Sequence, residues 1–237
     1  MKILCTICMR GGSKEIVNKN IRNIGGKPLM SYSISQAIKS KLFDLVMVST
    51  DSKKIFKCAK KYGATGWFLR PKKLATDDSV KLLAIRHALV ESEKFTNSKF
   101  DVVFNLHVTA PLRNINDIKK AYRQFLREKS NKLISVTPCK RNPYFNMVEK
   151  VNNKVQIVKK AKKKIGRRQD APIVYDMNAS IYIWRREELL NLKSKYDNKT
   201  SLYIMPAERS IDIDSTFDWK LVENILKKRN EKKKLFK

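Results

Sequence analysis

The chain has 237 residues, 42% of them hydrophobic, enough for one α/β domain with a full core and a small appendage. No apolar run approaches the ~18 residues that span a bilayer, and the short apolar start has neither the length nor the cleavage site of a signal peptide, so the expected location is cytoplasmic. A formal charge of +30 admits nucleic acid or an anionic membrane as partner, but the excess is lysine spread along helical segments without aromatic platforms, which reads first as a solvated surface.

In chain order, residues 2–8 are apolar and rich in β-favouring types, so they read as a buried strand. Arg10, Gly11, Gly12, Ser13 and Lys14 follow as a basic, glycine-containing loop. Paired glycines let backbone N–H groups approach an anion, and Arg10, Lys14 and Lys19 supply cations. The loop is therefore either a triphosphate cradle or a tight basic turn; the spacings of the P-loop and of G-x-G-x-x-G are both absent. A helix is expected from Pro28 to Ser40 and a strand over 43–49. Asp51 is placed to cap a helix running to about Tyr62, where Gly63 ends it. Residues 67–69 suggest a short strand leading into Arg70, and Asp77 or Asp78 the start of a helix reaching Phe95. A strand over 101–106, a helix from about Asn116 to Arg127 and a strand over 132–136 follow. This alternation predicts a mainly parallel, doubly wound sheet with helices on both faces.

The pattern breaks over 138–166, where residues 147–158 read as two strands joined at Asn152-Asn153, an inserted hairpin that must pack on something. The parallel pattern is expected to resume with a strand over 180–184. A helix near 186–192, a strand over 202–205, an acidic turn carrying Asp212 and Asp214, and a last helix from about Thr216 close the domain. The basic stretch 227–237 reads as a helix end fraying into solvent. Cys5 and Cys8 have C-x-x-C spacing, but three residues along a strand put them on opposite faces, so they read as two core thiols. Ligands of open α/β sheets gather at the carboxyl ends of strands, which would bring the opening loop, the 107–113 loop and the 210–214 turn together. Asp212 and Asp214 flank Ile213 and project alike from an extended segment; the pair suits Mg²⁺, and the competing reading makes Asp214 a helix cap.

The run Cys8-Met-Arg-Gly-Gly-Ser-Lys-Glu-Ile-Val-Asn-Lys-Asn-Ile-Arg22, with Gly26-Lys-Pro-Leu29 after it, resembles the nucleotide-binding signature of the acylneuraminate cytidylyltransferases. Thr109-Ala-Pro-Leu-Arg113, Asp176-Met-Asn-Ala-Ser-Ile-Tyr-Ile183 and Ser210-Ile-Asp-Ile-Asp214 agree in order and spacing, and Arg141-Asn-Pro-Tyr-Phe-Asn146 is most similar to the CMP-legionaminic acid synthetase branch. The resemblance covers about 2–226. It implies a single nucleotidyltransferase domain over 1–226, with 138–166 as a dimerisation hairpin, 227–237 as a basic tail, and a homodimer.

The implied reaction is attack of the anomeric hydroxyl of a nine-carbon keto acid on the α-phosphate of CTP, with pyrophosphate leaving. N,N'-diacetyllegionaminic acid is the first choice of sugar, and N-acetylneuraminate or another 3-deoxy-ulosonate the alternative. By resemblance Arg10, Lys19, Asp212 and Asp214 carry the chemistry, the two aspartates holding Mg²⁺. Arg10, Gly11, Gly12, Ser13, Lys14, Lys19 and Asn20 hold the nucleotide, with Arg70 on the cytidine side or, alternatively, a plain surface charge. His107, Thr109, Arg113, Arg168, Gln169, Asp176, Asn178 and Tyr182 are the sugar-side candidates. Arg168 is the best carboxylate partner, against a solvated basic cluster; His107 is either a substrate contact or a packed strand end. His107, Asp176 and Ser180 differ from the glutamine, arginine and glycine usual in sialic acid enzymes, which points to a differently decorated sugar, and Glu15 stands in place of a usual glycine. A basic nucleic-acid-binding protein on a degenerate transferase scaffold is the reading from another class.

Overall fold

A computed structural model describes residues 1–76, 79–161, 163–191 and 199–235. In chain order its elements are β1 (Ile3–Cys8), the short pair β2 (Asn23–Ile24) and β3 (Lys27–Pro28), α1 (Leu29–Ser40), β4 (Leu45–Ser49), α2 (Lys53–Lys61), α3 (Lys81–Thr96), β5 (Val102–Leu106), α4 (Ile115–Arg127) and β6 (Lys132–Pro138). After these come β7 (Val148–Val151), β8 (Lys154–Ile157), β9 (Tyr175–Arg185), α5 (Arg186–Leu190), β10 (Thr200–Ile204) and α6 (Thr216–Leu235).

Six strands form one sheet in the order β10-β6-β9-β5-β1-β4. β1 is buried along its whole length because it lies inside the sheet with helices on both faces. Its side chains alternate accordingly: Ile3, Cys5 and Ile7 join the larger core with Leu29, Ile118 and Trp219, while Leu4 and Cys8 join a second core with Ile85 and Leu89 of α3. The two cysteines therefore lie in different cores, as their spacing predicts.

β1 pairs in parallel with β4 and β5, and β10 with β6. The expected return to parallel pairing at 180–184 does not occur, since β9 runs antiparallel to both β5 and β6. A parallel neighbour needs a crossover, usually a helix. Between β6 and β9 the described chain holds only the β7–β8 hairpin and a 3₁₀ turn, so it re-enters the sheet at the end where it left. That hairpin is as expected: Asn152 and Asn153 take φ of 48° and 62°, the left-handed pair of a type I′ turn.

Three other expectations are corrected. Ser52, not Asp51, caps α2, its side chain accepting from the Ile55 N–H. Residues 67–69 form no strand; the ladder there is a single bridge from Met47 to Thr65. The chain past 226 continues as helix to Leu235, where Arg229 donates to the Leu112 carbonyl (3.0 Å) and Asn230 to the Gly25 carbonyl (3.1 Å). Asp77 and Asp78 lie outside the described residues; α3 begins at Lys81.

Candidate active site

The loop after β1 is held by a set of internal acceptors and donors. The Met9 N–H extends the β1–β4 ladder to the Ser49 carbonyl (2.9 Å), and the Gly11 N–H donates to Asp51 Oδ1 (2.9 Å). A side chain at Gly11 would stand 3.2 Å from Ser52 Cβ, so the glycine lets the loop pass close over the start of α2. Asn20 donates to the Arg10 carbonyl (2.9 Å), and the Arg70 guanidinium donates to the Met9 carbonyl. Arg70 is only 6% exposed and its backbone N–H donates to Thr50, which excludes the surface-charge reading. Arg70 and Asn20 support the loop from beneath, and Asp51 is the residue missed in this role. Glu15 is exposed and outside the positive-φ set, so the loop accommodates it without backbone strain. Gly12 and Lys14 are exposed.

Above the loop lies a cleft of about 250 Å³ lined by Arg10, Ser13, Lys19 and Thr109 together with Lys81 of α3. A 3₁₀ turn over Lys19–Ile21 swings Lys19 back over it, where Nζ donates to the Ile213 carbonyl (2.7 Å) and stands 3.8 Å from Asp214 Oδ1. The acidic turn is pinned in the same place: the Ile213 N–H donates to the Thr109 carbonyl (2.9 Å) and its side chain is in the core. Strand-end loops far apart in sequence thus meet as expected.

Asp214 is not the cap of α6. Ser215 is: its hydroxyl accepts from the Asp218 N–H (3.2 Å) and its own N–H donates to Asp218 Oδ2 (2.8 Å), a reciprocal capping box. The Asp214 side chain is left 79% exposed at the cleft. Asp212 is mostly buried, and burial raises its carboxyl above the ordinary aspartate value, with a Thr109 hydrogen bond opposing and the Asp214 charge reinforcing the rise. Asp212 Oδ1 is buried with no hydrogen-bond partner among the described residues. An orphaned carboxylate oxygen beside a second carboxylate fits a cation. No cluster of three His, Cys, Asp or Glu residues occurs among the described residues, so the pair suits an ion that takes its other ligands from water and phosphate, as Mg²⁺ does.

Beside this cleft is a second cavity of about 280 Å³, largely apolar, between α3 and β9. His107 stacks on Tyr182 (centroids 5.1 Å apart), and Tyr182 on Trp184 (5.6 Å), so an aromatic row forms one wall, with Met177 close by. Burial, and then the charges of Lys81 and Arg113, hold His107 well below the ordinary histidine value, so its imidazole is neutral. A register shift in the β6–β9 pairing lies next to this wall, with Ala179 at φ 44° and the Ser135 hydroxyl accepting from the Ile181 N–H (2.7 Å).

Several sugar-side candidates fall elsewhere. Arg113 is 1% exposed, and its guanidinium is committed to Ser180, Ser33, Gln36 and the His107 carbonyl, so it holds the wall from behind and cannot reach a ligand. Asn178 is likewise buried, accepting from Ser135 and donating to Ser210 (2.7 and 2.9 Å). Arg168 donates to the Cys139 carbonyl (2.9 Å) and Asp176 accepts from the Cys139 thiol (3.0 Å); with Gln169 they sit on an exposed edge outside both cavities. Thr109 belongs to the cationic cleft, and His107 and Tyr182 line the apolar cavity. Lys81 and Trp184 carry no sequence signal, each one ordinary member of a helix or strand until the fold turns it into a cavity, and Met177 stands inside the 176–183 motif without a signal of its own. Lys81 is exposed at the amino terminus of α3, yet the protein crowded around its amine lowers it to about 8, desolvation leading.

A family model described as cytidylyltransferase matches residues 4–235. The chain is 44% identical to the post-translational flagellin modification protein B of Campylobacter coli, over 99% of each protein. It is 46% identical to the CMP-N,N'-diacetyllegionaminic acid synthase of Campylobacter jejuni, again over 99% of each. In fold it resembles the CMP:2-keto-3-deoxy-manno-octonic acid synthetase complexed with CTP, with a TM-score of 0.71 at 14% identity, covering 97% of this chain and all of that one.

The neutral His107 has a consequence for stability. The unfolded chain takes up a proton here near pH 6.5, whereas the folded chain does so only at much lower pH, so this site withdraws stability as pH falls below about 6.5. His107→Gln is expected to shrink the difference between melting temperatures measured at pH 7.5 and 5.5; an unchanged difference would show that the ring protonates freely in the folded protein.

Proposed function

The chain belongs to the cytidylyltransferase family, and from that premise we propose that it activates a nonulosonic acid with CTP, N,N'-diacetyllegionaminic acid before others, giving the CMP-sugar and pyrophosphate. The observation that carries this reading is the juxtaposition of two unlike cavities: a cationic cleft facing the Asp212–Asp214 pair, and an aromatic-walled pocket adjoining it. The first suits a triphosphate, the second the N-acyl groups of a decorated sugar. The 46% identity to a CMP-N,N'-diacetyllegionaminic acid synthase supports the choice of sugar.

In this reading the backbone of Gly12 and the side chains of Arg10, Ser13, Lys14 and Lys19 cradle the phosphates, while the Gly11 N–H is held by Asp51 and shapes the loop. Asp212 and Asp214 would hold Mg²⁺, which supplies charge neutralisation on the phosphate oxygens. The sugar's anomeric hydroxyl gives up its proton to water as its oxygen bonds to the α-phosphorus, and the bond to the bridging oxygen of the β-phosphate breaks to release pyrophosphate. The protein's part is to hold two anions in line, and it does so with rigid groups: Lys19 is tied to the Ile213 carbonyl, and the His107 ring is braced by Tyr182. Tyr182, Trp184 and Met177 give the acyl groups an apolar surface, and neutral His107 offers a hydrogen bond.

The β7–β8 hairpin is exposed at all eight strand positions, with Val148 63% and Val155 70% exposed. A lone two-stranded ribbon is marginal in water, so the reading includes a homodimer in which this hairpin packs on a second copy. None of the helices among the described residues is long and apolar enough to cross a membrane, and a consumer of CTP is placed in the cytoplasm.

The test of the reaction is pyrophosphate release from CTP and Mg²⁺ with diacetyllegionaminate, N-acetylneuraminate and Kdo in parallel. Turnover is expected to be strongest with the first; preference for either other acid would reassign the sugar, and silence with all three would remove the reading. Asp212→Asn and Asp214→Asn are each expected to lower turnover at least ~100-fold at an unchanged melting temperature. Near-wild-type activity in both would sink the metal assignment. Val148→Glu with Val155→Glu is expected to halve the mass measured by sedimentation, and a wild type that sediments as a monomer would refute the dimer.

A further inference from the structure

Lys81 opens α3 and lines both cavities, the cationic cleft on one side and the aromatic-walled pocket on the other; among the described residues no other is shared between the two linings. Among the described residues its ammonium forms no hydrogen bond or ion pair. Its electrostatic neighbours are Asp212, Cys8, Arg70, Lys19 and His107. Asp212 is the one carboxylate among these neighbours that attracts it. A helix amino terminus disfavours positive charge, and Lys19 and Arg70 repel it, while the side chain stays open to solvent and to an incoming ligand. A charge held at such a position, at the boundary between the sites of two substrates, waits for an anion.

Both substrates of the proposed reaction are anions. The sugar's anomeric oxygen must come within bonding reach of the α-phosphorus, which brings the adjacent C1 carboxylate close to the phosphate against their mutual repulsion. An ammonium has three donors and can serve two acceptors at once. Resting on the reading above, we propose that Lys81 contacts both substrates together, donating to an α-phosphate oxygen of CTP and to the sugar's C1 carboxylate, and thereby selects an anionic acceptor. Arg10 and Lys19 grip the triphosphate alone; Lys81 is the group that joins the two halves of the site.

The test compares Lys81→Met and Lys81→Arg with wild type, using CTP, Mg²⁺ and diacetyllegionaminate. For Lys81→Met we expect kcat to fall ~100-fold, the loss typical of one donor to a developing anion, and KM for the sugar acid to rise ~10-fold. KM for CTP should move less than ~3-fold and the melting temperature should hold or rise, because Lys81 carries no structural bond. Lys81→Arg should recover at least a tenth of wild-type kcat. The C1 carboxamide of the sugar, used as a competitive inhibitor, should bind wild type and Lys81→Met alike, whereas the acid binds wild type more tightly. Wild-type turnover with an unimpaired Lys81→Met, or equal loss of acid and amide binding, overturns this assignment alone. A wild type silent with every sugar acid overturns the proposed reaction and this assignment with it.

Discussion

The guanidinium of Arg113 is the constraint on which the site depends. It is 1% exposed, in the middle of the molecule, and burial lowers its pKa only to about 10, so it is charged at neutral pH. Removing such a charge from water costs several kcal/mol unless its donors are met. Here they are met by acceptors on several different elements: the Ser180 carbonyl and hydroxyl on β9 (2.8 and 3.1 Å), the Ser33 hydroxyl and Gln36 amide oxygen on α1 (2.8 and 3.1 Å), and the His107 carbonyl after β5 (3.4 Å). The same residues brace one another, since Ser33 donates to the His107 carbonyl and the His107 N–H to the Ser180 carbonyl. The end of β5, the shifted stretch of β9 and the start of α1 therefore cannot move independently. The His107–Tyr182 wall stands on that joint.

A second joint fixes the other side of the cleft. Asp117, nearly fully buried, closes the capping box of α4 with Asn114 and receives two bonds from Arg209 (2.9 and 3.0 Å) and one from Tyr203 on β10 (3.3 Å). Arg209 leads directly into the turn of Asp212 and Asp214, so the anchor of a distant helix also sets where the carboxylates stand. Asp51 does the same for the opening loop through the Gly11 N–H. The supporting charges are met by backbone, by neutral partners or, for Asp117 and Arg209, by each other, while Asp212 and Lys81 face the cleft. Such preorganisation spares the reaction the cost of arranging dipoles around two anions.

Much of this was legible in the amino-acid sequence. The glycine pair with its cations, the Asp-Ile-Asp turn and the strand–helix alternation are local patterns, each set by neighbours a few residues away, and they located the cleft, the acidic pair and most elements. Asp212 and Asp214 met across from Lys19 because strand carboxyl ends converge in any such sheet. The hairpin turn followed from two asparagines that tolerate positive φ.

What the sequence left open was decided by partners far along the chain. Arg113 and Asn178 look like ligand-binding side chains in a motif, and only their hydrogen-bond partners on α1, β6, β9 and the 210 turn hold them inward. The direction of β9 depended on a crossover that lacks a helix, not on its own apolar residues. Lys81 is one lysine among many until α3 sets it between two cavities. Periodicity and turn chemistry act over a few residues and can be read from them; burial, hydrogen-bond satisfaction and cavity shape are sums over the whole fold, and no local pattern encodes them.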